Sequence, residues 1–162
     1  GLWIDRKSDL LPDPVQAYRA YLKMMNIVMS NGAPAPDGKR ATATDWFALM
    51  NAQASAMAQW DALFETYDFV LAPPAPVLAV PHRETAVFKG TLTINGAEEP
   101  GGNALMWAGL ATFPGLPSTV LPIGSGTYLG AELPCGMQVI GSRWADLDCI
   151  AAAEAIGNIL HR

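Results

Sequence analysis

The chain has 162 residues, of which 51% are hydrophobic and 15% are charged, and its formal net charge is −5. This composition predicts one globular domain with a sizeable core and excludes a disordered tail. Because lysine and arginine form no run, neither nucleic acid nor an acidic membrane surface is an expected partner.

The first predicted element is a helix with a clear start and a clear stop. Asp13 followed by Pro14 has the pattern of an N-cap and a proline at the first helical position. The pair Asn31 and Gly32 is typical of a helix end. Apolar residues recur between these signals at helical spacing, namely Val15, Tyr18, Leu22, Met25 and Met29.

A second helix is predicted to begin after Thr42, which forms a capping-box pattern with Asp45, where glutamate is more usual. A stripe of methionine and aromatic residues follows on one helical face. We interpret this stripe as core packing rather than as a ligand surface. Its members are Trp46, Leu49, Met50, Gln53, Met57, Trp60 and Phe64.

Strands are predicted next. The apolar run at 67–71 reads as a buried strand that two prolines end. Asp68 lies within it, so its carboxylate should be hydrogen-bonded or near a strand end. Alternating residues predict a second strand over 87–94, with a hairpin turn at Asn95-Gly96 and a short return over 97–99.

The last third of the chain mixes both element types. We predict a short helix over 105–112, buried strands over 118–123 and 136–140, and a flexible turn over 124–130 between them. Asp146 is expected to cap a final helix. The order of elements predicts an α/β fold in which a mixed β-sheet is covered by α-helices.

No catalytic motif is complete in this sequence. The glycine-rich turn lacks both the spacing and the following helix of a dinucleotide fingerprint. Ser125 is not in a nucleophile elbow, because Ile123 stands where the first glycine should be. No motif ties Ser118 to a lysine or histidine base. Glu98 and Glu99 are adjacent in a strand, so they should point to opposite faces.

The cysteines and histidines predict neither a disulfide framework nor a metal site. Cys135 and Cys149 could form one disulfide, but free thiols in a reducing cytoplasm are the preferred interpretation. His82 and His161 lack ligand spacing with either cysteine. No apolar run is long enough to span a bilayer, and the first 11 residues show no signal-peptide pattern.

Three strings in a fixed order resemble the C-terminal part of the amidase signature family. They are WDALFETYDFVLAP at 60–73, PGLPSTVLPIG at 114–124 and LPCGMQVIG at 133–141. The family pattern has a helix running into a Y-D strand, then G-L-P-A-x-x-x-P-x-G, then L-P-x-G-x-Q. The resemblance covers 45–160, whereas 1–44 match less clearly. It implies that the whole segment is the C-terminal part of one amidase domain.

The sequence departs from the family pattern in a few places. Thr112 stands where asparagine is frequent, Ser118 where alanine is frequent, and Cys135 where valine is common. These positions lie in structural stretches, so they do not weaken the expected fold. They leave the substrate class open.

The resemblance implies hydrolysis of a small-molecule amide by serine acyl transfer, with no cofactor or metal. In the family a serine attacks the carbonyl, and a second serine on a cis peptide bridges it to a lysine. The Gly/Ser-rich stretch that carries both serines is not found here, so no catalytic residue is assigned. Pro73, Pro74, Met106 and Trp107 are the candidates for lining the acyl pocket, with a purely structural role as the alternative.

Two other functions remain open at this point. The parent protein could be a glutamine-dependent amidotransferase subunit, or the segment could be a non-catalytic binding or interaction module. Strand edges and apolar faces of a divided sheet would be uncovered. We therefore expect the chain to self-associate or to pair with the missing N-terminal half of the enzyme.

Overall fold

The computed structural model describes residues 2–82, 84 and 86–160, so His161 lies outside the described residues. Within them the chain forms four α-helices and five strands. The helices are α1 (Pro14–Ser30), α2 (Ala43–Phe64), α3 (Met106–Thr112) and α4 (Asp146–Leu160). The strands are β1 (Phe69–Ala72), β2 (Thr91–Ile94), β3 (Ala97–Pro100), β4 (Ser118–Tyr128) and β5 (Ala131–Gly141).

The predicted helix signals are confirmed. The Asp13 carboxylate accepts from the Val15 backbone N–H, and α1 ends at Asn31, whose φ of 47° is left-handed. At α2, Thr42 and Asp45 form the reciprocal capping box. Among the helices of the described residues, none has the length and apolar composition needed to cross a membrane.

The main sheet has three strands in the order β1-β5-β4, and β2 pairs with β3 in a separate hairpin. The α/β fold class is confirmed. A mixed sheet was expected, but the described strands pair only in antiparallel fashion. For β4 and β5 the reason lies in their connection, because a two-residue turn can join antiparallel strands but not parallel ones.

The glycine-rich stretch predicted as a flexible turn is instead strand. β4 continues to Tyr128, and the turn is only Leu129-Gly130, both with positive φ. Gly124 lies at a bulge, with a φ of 141°. Gly126 allows a close approach, since a Cβ there would lie 2.9 Å from Leu78 Cδ1. Glycine in this strand therefore serves bulge and packing geometry rather than flexibility.

The start of the second strand also differs from the sequence prediction. Val87–Lys89 form a 3₁₀ turn, and strand β2 begins only at Thr91. The partner β3 ends at Pro100 opposite Thr91, so no strand is available to extend the ladder. The short helix predicted over 105–112 is confirmed as α3 (Met106–Thr112), and a 3₁₀ segment, Gly101–Leu105, leads directly into it.

The two faces of the main sheet are covered by different helices. Successive residues of β5 point to opposite faces of the sheet. Ile140 packs with Trp60 and Leu63 of α2 and with residues of α3, whereas Val139 packs with Ala153 of α4. The domain is thus layered, with α2 and α3 on one face of the sheet and α4 on the other.

Helix α1 holds α3 in place from outside this layer. Tyr21 packs so closely on α3 that a Cβ at Gly109 would lie 2.8 Å from its ring. The Tyr18 hydroxyl donates to the Gly102 carbonyl at 2.7 Å, and burial raises the pKa of this hydroxyl, with a smaller contribution from Tyr21. These contacts fix the position of the segment that enters α3.

Candidate functional site

The face of the main sheet that carries α2 and α3 is only partly covered. Residues that pair directly across antiparallel strands point to the same face, so the register defines rows on it. Each row is given in the strand order β1, β5, β4. The first row is Val70, Ile140 and Ser118, and the second is Ala72, Gln138 and Val120. The third contains only Gly136 of β5 and Pro122 of β4. Helices cover the β1 and β5 members, whereas Ser118, Val120 and Pro122 of β4 are exposed. We call these three residues the open face.

Gln138 lies at the border between the covered and the open parts. Its side chain is 3% exposed, and it is the only polar residue in the buried set among the described residues. Its Nε2 donates to the Pro73 carbonyl at 2.9 Å and to the Trp107 carbonyl at 3.0 Å. Its Oε1 accepts from the Ser118 hydroxyl at 3.0 Å. One side chain therefore connects the end of β1, helix α3 and strand β4.

The structure brings together three of the four residues predicted to line a pocket. Pro73 and Trp107 meet through their carbonyls at Gln138. Pro74 lies close to Gly136, since a Cβ built there would lie 3.5 Å from Pro74 Cγ and 3.3 Å from Val120 Cγ1. The two prolines, the Trp107 backbone and the open face thus form one continuous surface.

Met106 is separated from this surface. It packs against the cluster of Tyr18, Tyr21 and Phe113, on the side of α3 that faces α1. Adjacent residues of a helix point in directions about 100° apart, which accounts for the different surroundings of Met106 and Trp107. Whether any of the four residues contacts a substrate stays a prediction.

One groove of the described surface lies away from these residues. It has a volume of about 530 Å³, runs between the end of α2 and α4, and is lined by Phe64, Tyr67 and Asp148, among others. Asp68, which was expected near a strand end, also lines it and is exposed just before β1. This groove does not include Gln138 or the open face.

The serines of the described residues make no hydrogen bond to a lysine or histidine side chain. The Ser118 hydroxyl donates to Gln138, and the Ser125 hydroxyl donates to Glu132. The lysines in recorded ion pairs, Lys23 and Lys39, contact aspartates. In this part of the chain no recorded hydrogen bond joins a serine hydroxyl to a lysine amine, so no catalytic serine is assigned.

Of the two cysteines, Cys149 lacks the features of a nucleophile. Cys135 and Cys149 are free thiols. Burial raises the pKa of the Cys149 thiol, and Asp146 adds to this effect, so the reactive thiolate is disfavoured. Across residues 2–82, 84 and 86–160, no group of three or more histidine, cysteine or acidic side chains could hold a metal ion.

Sequence reasoning placed Gln138 in a family-like string but did not single it out. The available signal was a polar amide inside the apolar run from Met137 to Ile140. A buried amide is costly unless hydrogen-bonded, so such a residue marks a place where other segments must supply partners. The identity of those partners, Pro73 and Trp107, depends on tertiary contacts that the run itself does not encode.

The family model described as Amidase matches residues 7–150. A bacterial aryl acylamidase belonging to the amidase signature enzymes is 27% identical, with a TM-score of 0.61 over 90% of this chain and 34% of that chain. No curated protein matches in a sequence search.

Two further solved structures share the fold at lower identity. A protein described as an amidase is 16% identical, with a TM-score of 0.64 over 93% of this chain and 36% of its own. A protein from a vestigial complex that reveals the origins of an s-triazine catabolic enzyme is 18% identical, with a TM-score of 0.69 over 92% and 35%. The chain thus spans about a third of the length of these structures.

Replacing Gln138 with methionine, which has a similar shape but no N–H donor, tests its role as a connector. We expect the free energy of unfolding to fall by about 2–4 kcal/mol, because two partly buried hydrogen bonds to backbone carbonyls lose their donor. Gln53→Met is the matched control, since Gln53 Nε2 has one recorded acceptor, the Phe113 carbonyl. Urea denaturation measures both, and an equal or smaller loss at position 138 would contradict the assignment.

Proposed function

This chain belongs to the amidase family, and from that premise we propose that it forms part of an enzyme that hydrolyses carbon–nitrogen amide bonds. The match of the family model over residues 7–150 is the observation that carries this proposal. The 27% identity to a bacterial aryl acylamidase supports it. The substrate is a small-molecule amide.

We place the catalytic groups on polypeptide outside these 162 residues, so that the chain acts as the C-terminal part of an amidase domain. The proposed reaction is serine acyl transfer, in which a serine is activated by a lysine through a second serine and backbone N–H groups stabilise the oxyanion. The absence of a recorded serine–lysine hydrogen bond among the described residues supports this placement. So does the span of about a third of the structural relatives.

The role of this chain in such an enzyme is to supply one wall of the acyl pocket. Pro74, the backbone of Trp107 and the open face form a continuous surface around the buried Gln138. This surface is mostly apolar, as pocket linings are, and it is held rigidly by the hydrogen bonds of one amide. The rest of the enzyme would close the pocket over it.

A glutamine-dependent amidotransferase subunit is the alternative within the same family. The similarity to an aryl acylamidase favours simple amide hydrolysis over ammonia transfer. Release of ammonia from glutamine by the longer polypeptide, in preference to cleavage of acyl anilides, would favour the amidotransferase. A non-catalytic interaction module gains support if the polypeptide contains neither a Gly/Ser-rich segment nor a lysine that could serve as base.

The partner of this chain is the remainder of the amidase, in the cytoplasm. The exposed side of helix α4 mixes acidic and apolar residues, and among the apolar ones Leu147 is 79% and Ile150 is 53% exposed. Large apolar side chains that are exposed close together are typical of an interaction surface. Beside it, Trp144 is 92% exposed with a φ of 70°. The free thiols of Cys135 and Cys149 suit a reducing compartment.

The placement of the catalytic groups is tested by comparing two polypeptides. We expect the 162-residue chain to leave acyl anilides intact and to resist labelling by a serine-directed fluorophosphonate. A polypeptide extended toward the N-terminus, to the length of the structural relatives, should hydrolyse the anilides and become labelled. Turnover or labelling that persists in the highly purified short chain would contradict the proposal.

The exposed side of α4 predicts self-association of the isolated chain. We expect sedimentation velocity to show concentration-dependent oligomers at micromolar concentration, because this apolar surface is uncovered. Ile150→Glu should shift the distribution toward monomer. Val28→Glu is the matched control, since Val28 of α1 is 56% exposed but lies away from α4. A clean monomer of the unmodified chain would refute this expectation.

A further inference from the structure

The orientation of the Gln138 amide is determined by its partners. Nε2 has two protons, and both are directed to carbonyl oxygens, those of Pro73 and Trp107. A carbonyl oxygen can only accept, so the opposite orientation of the amide would place oxygen against oxygen twice. Oε1 must therefore face Ser118.

This orientation fixes the hydroxyl of Ser118 as well. Gln138 Oε1 is an acceptor, so Ser118 must donate its single proton to it, across 3.0 Å. The Ser118 oxygen then has lone pairs but no proton for any other partner. Because Ser118 is exposed, this acceptor is available at the surface.

The surroundings of this acceptor are apolar. Val120 and Pro122 are the other two members of the open face, and Val120 is 57% exposed. Ser118 therefore carries the one polar side chain of the open face. A molecule lying on this surface would meet an apolar patch with a single hydrogen-bond acceptor at its edge.

We propose that Ser118 is a specificity-determining residue of the amidase, a proposal that rests on the function proposed above. Its oxygen accepts a hydrogen bond from an O–H or N–H group on the acyl part of the substrate, while the apolar part of the acyl group lies on Val120 and Pro122. The favoured substrates are amides of acids that carry such a donor on an apolar or aromatic frame. Acids that present only an ether or carboxylate oxygen there are disfavoured, because two acceptors would face each other.

The test compares substrates that differ only in the donor. The probes are 4-nitroanilides of hydroxyphenylacetic and methoxyphenylacetic acids, substituted at the ortho, meta or para position, with the extended polypeptide as enzyme. We expect the hydroxy compound of at least one pair to have the higher kcat/KM. Ser118→Ala should reduce that preference by about 3- to 10-fold, the range of one neutral hydrogen bond.

Two control variants separate recognition from structure. Ser118→Thr keeps the hydroxyl and should keep the preference. Thr119→Ala alters the next residue of β4, which points to the opposite face of the sheet, and should leave the preference unchanged. Thermal unfolding of each variant accounts for any change in folding, which would lower the rates for both members of a pair equally.

The outcomes are distinct. A preference that falls in Ser118→Ala but persists in Ser118→Thr and Thr119→Ala supports the assignment. Hydrolysis of the anilides without a hydroxy preference, or with a preference that Ser118→Ala leaves unchanged, overturns the role of Ser118 and leaves the amidase proposal standing. An extended polypeptide that hydrolyses no amide at all overturns both.

Discussion

The structure depends on one buried amide that cannot be left unpaired. Taking an amide out of water costs several kcal/mol unless its hydrogen bonds are replaced. Gln138 replaces them with two backbone carbonyls and one hydroxyl from three different segments. The position of the chain after β1, the position of α3 and the direction of the Ser118 hydroxyl are thereby coupled, because moving any of them breaks a hydrogen bond of the buried amide.

This coupling explains why the surface around Gln138 is suited to be a pocket wall. Helices α2 and α3 cover the rows of the sheet over β1 and β5 but stop before β4, where the open face remains. Gln138 lies at the border between the part of the sheet that the helices cover and the open face. A pocket wall must keep its shape when the rest of an enzyme packs against it. Fixed hydrogen-bond geometry helps here, because misplaced binding groups lower the rate of catalysis. Below this layer, α4 supports the sheet from its other face through Val139 and Ala153.

Much of the local structure could be predicted from the sequence, because its causes are local. The caps at Asp13 and Thr42 and the left-handed residue Asn31 are confirmed, since each depends on neighbours within a few residues. The continuation of β4 to Tyr128 could not be predicted. Its glycines suggest a turn in the sequence, but in the fold they allow a close contact with Leu78 and pairing with β5. The surroundings of Met106 and the hydrogen bonds of Gln138 likewise depend on residues that are distant in the sequence. Such partners cannot be identified from the local sequence alone.

The central claim is that the Gln138 amide is saturated by partners from separate segments, and side-chain hydrogen exchange tests it most directly. In the 162-residue chain, the two Nε2 protons of Gln138 should give separate NMR signals that exchange with solvent far more slowly than those of Gln16, whose side chain is exposed. Exchange at Gln138 as fast as at Gln16 would show that its N–H groups meet water instead of the Pro73 and Trp107 carbonyls. That result would contradict the account.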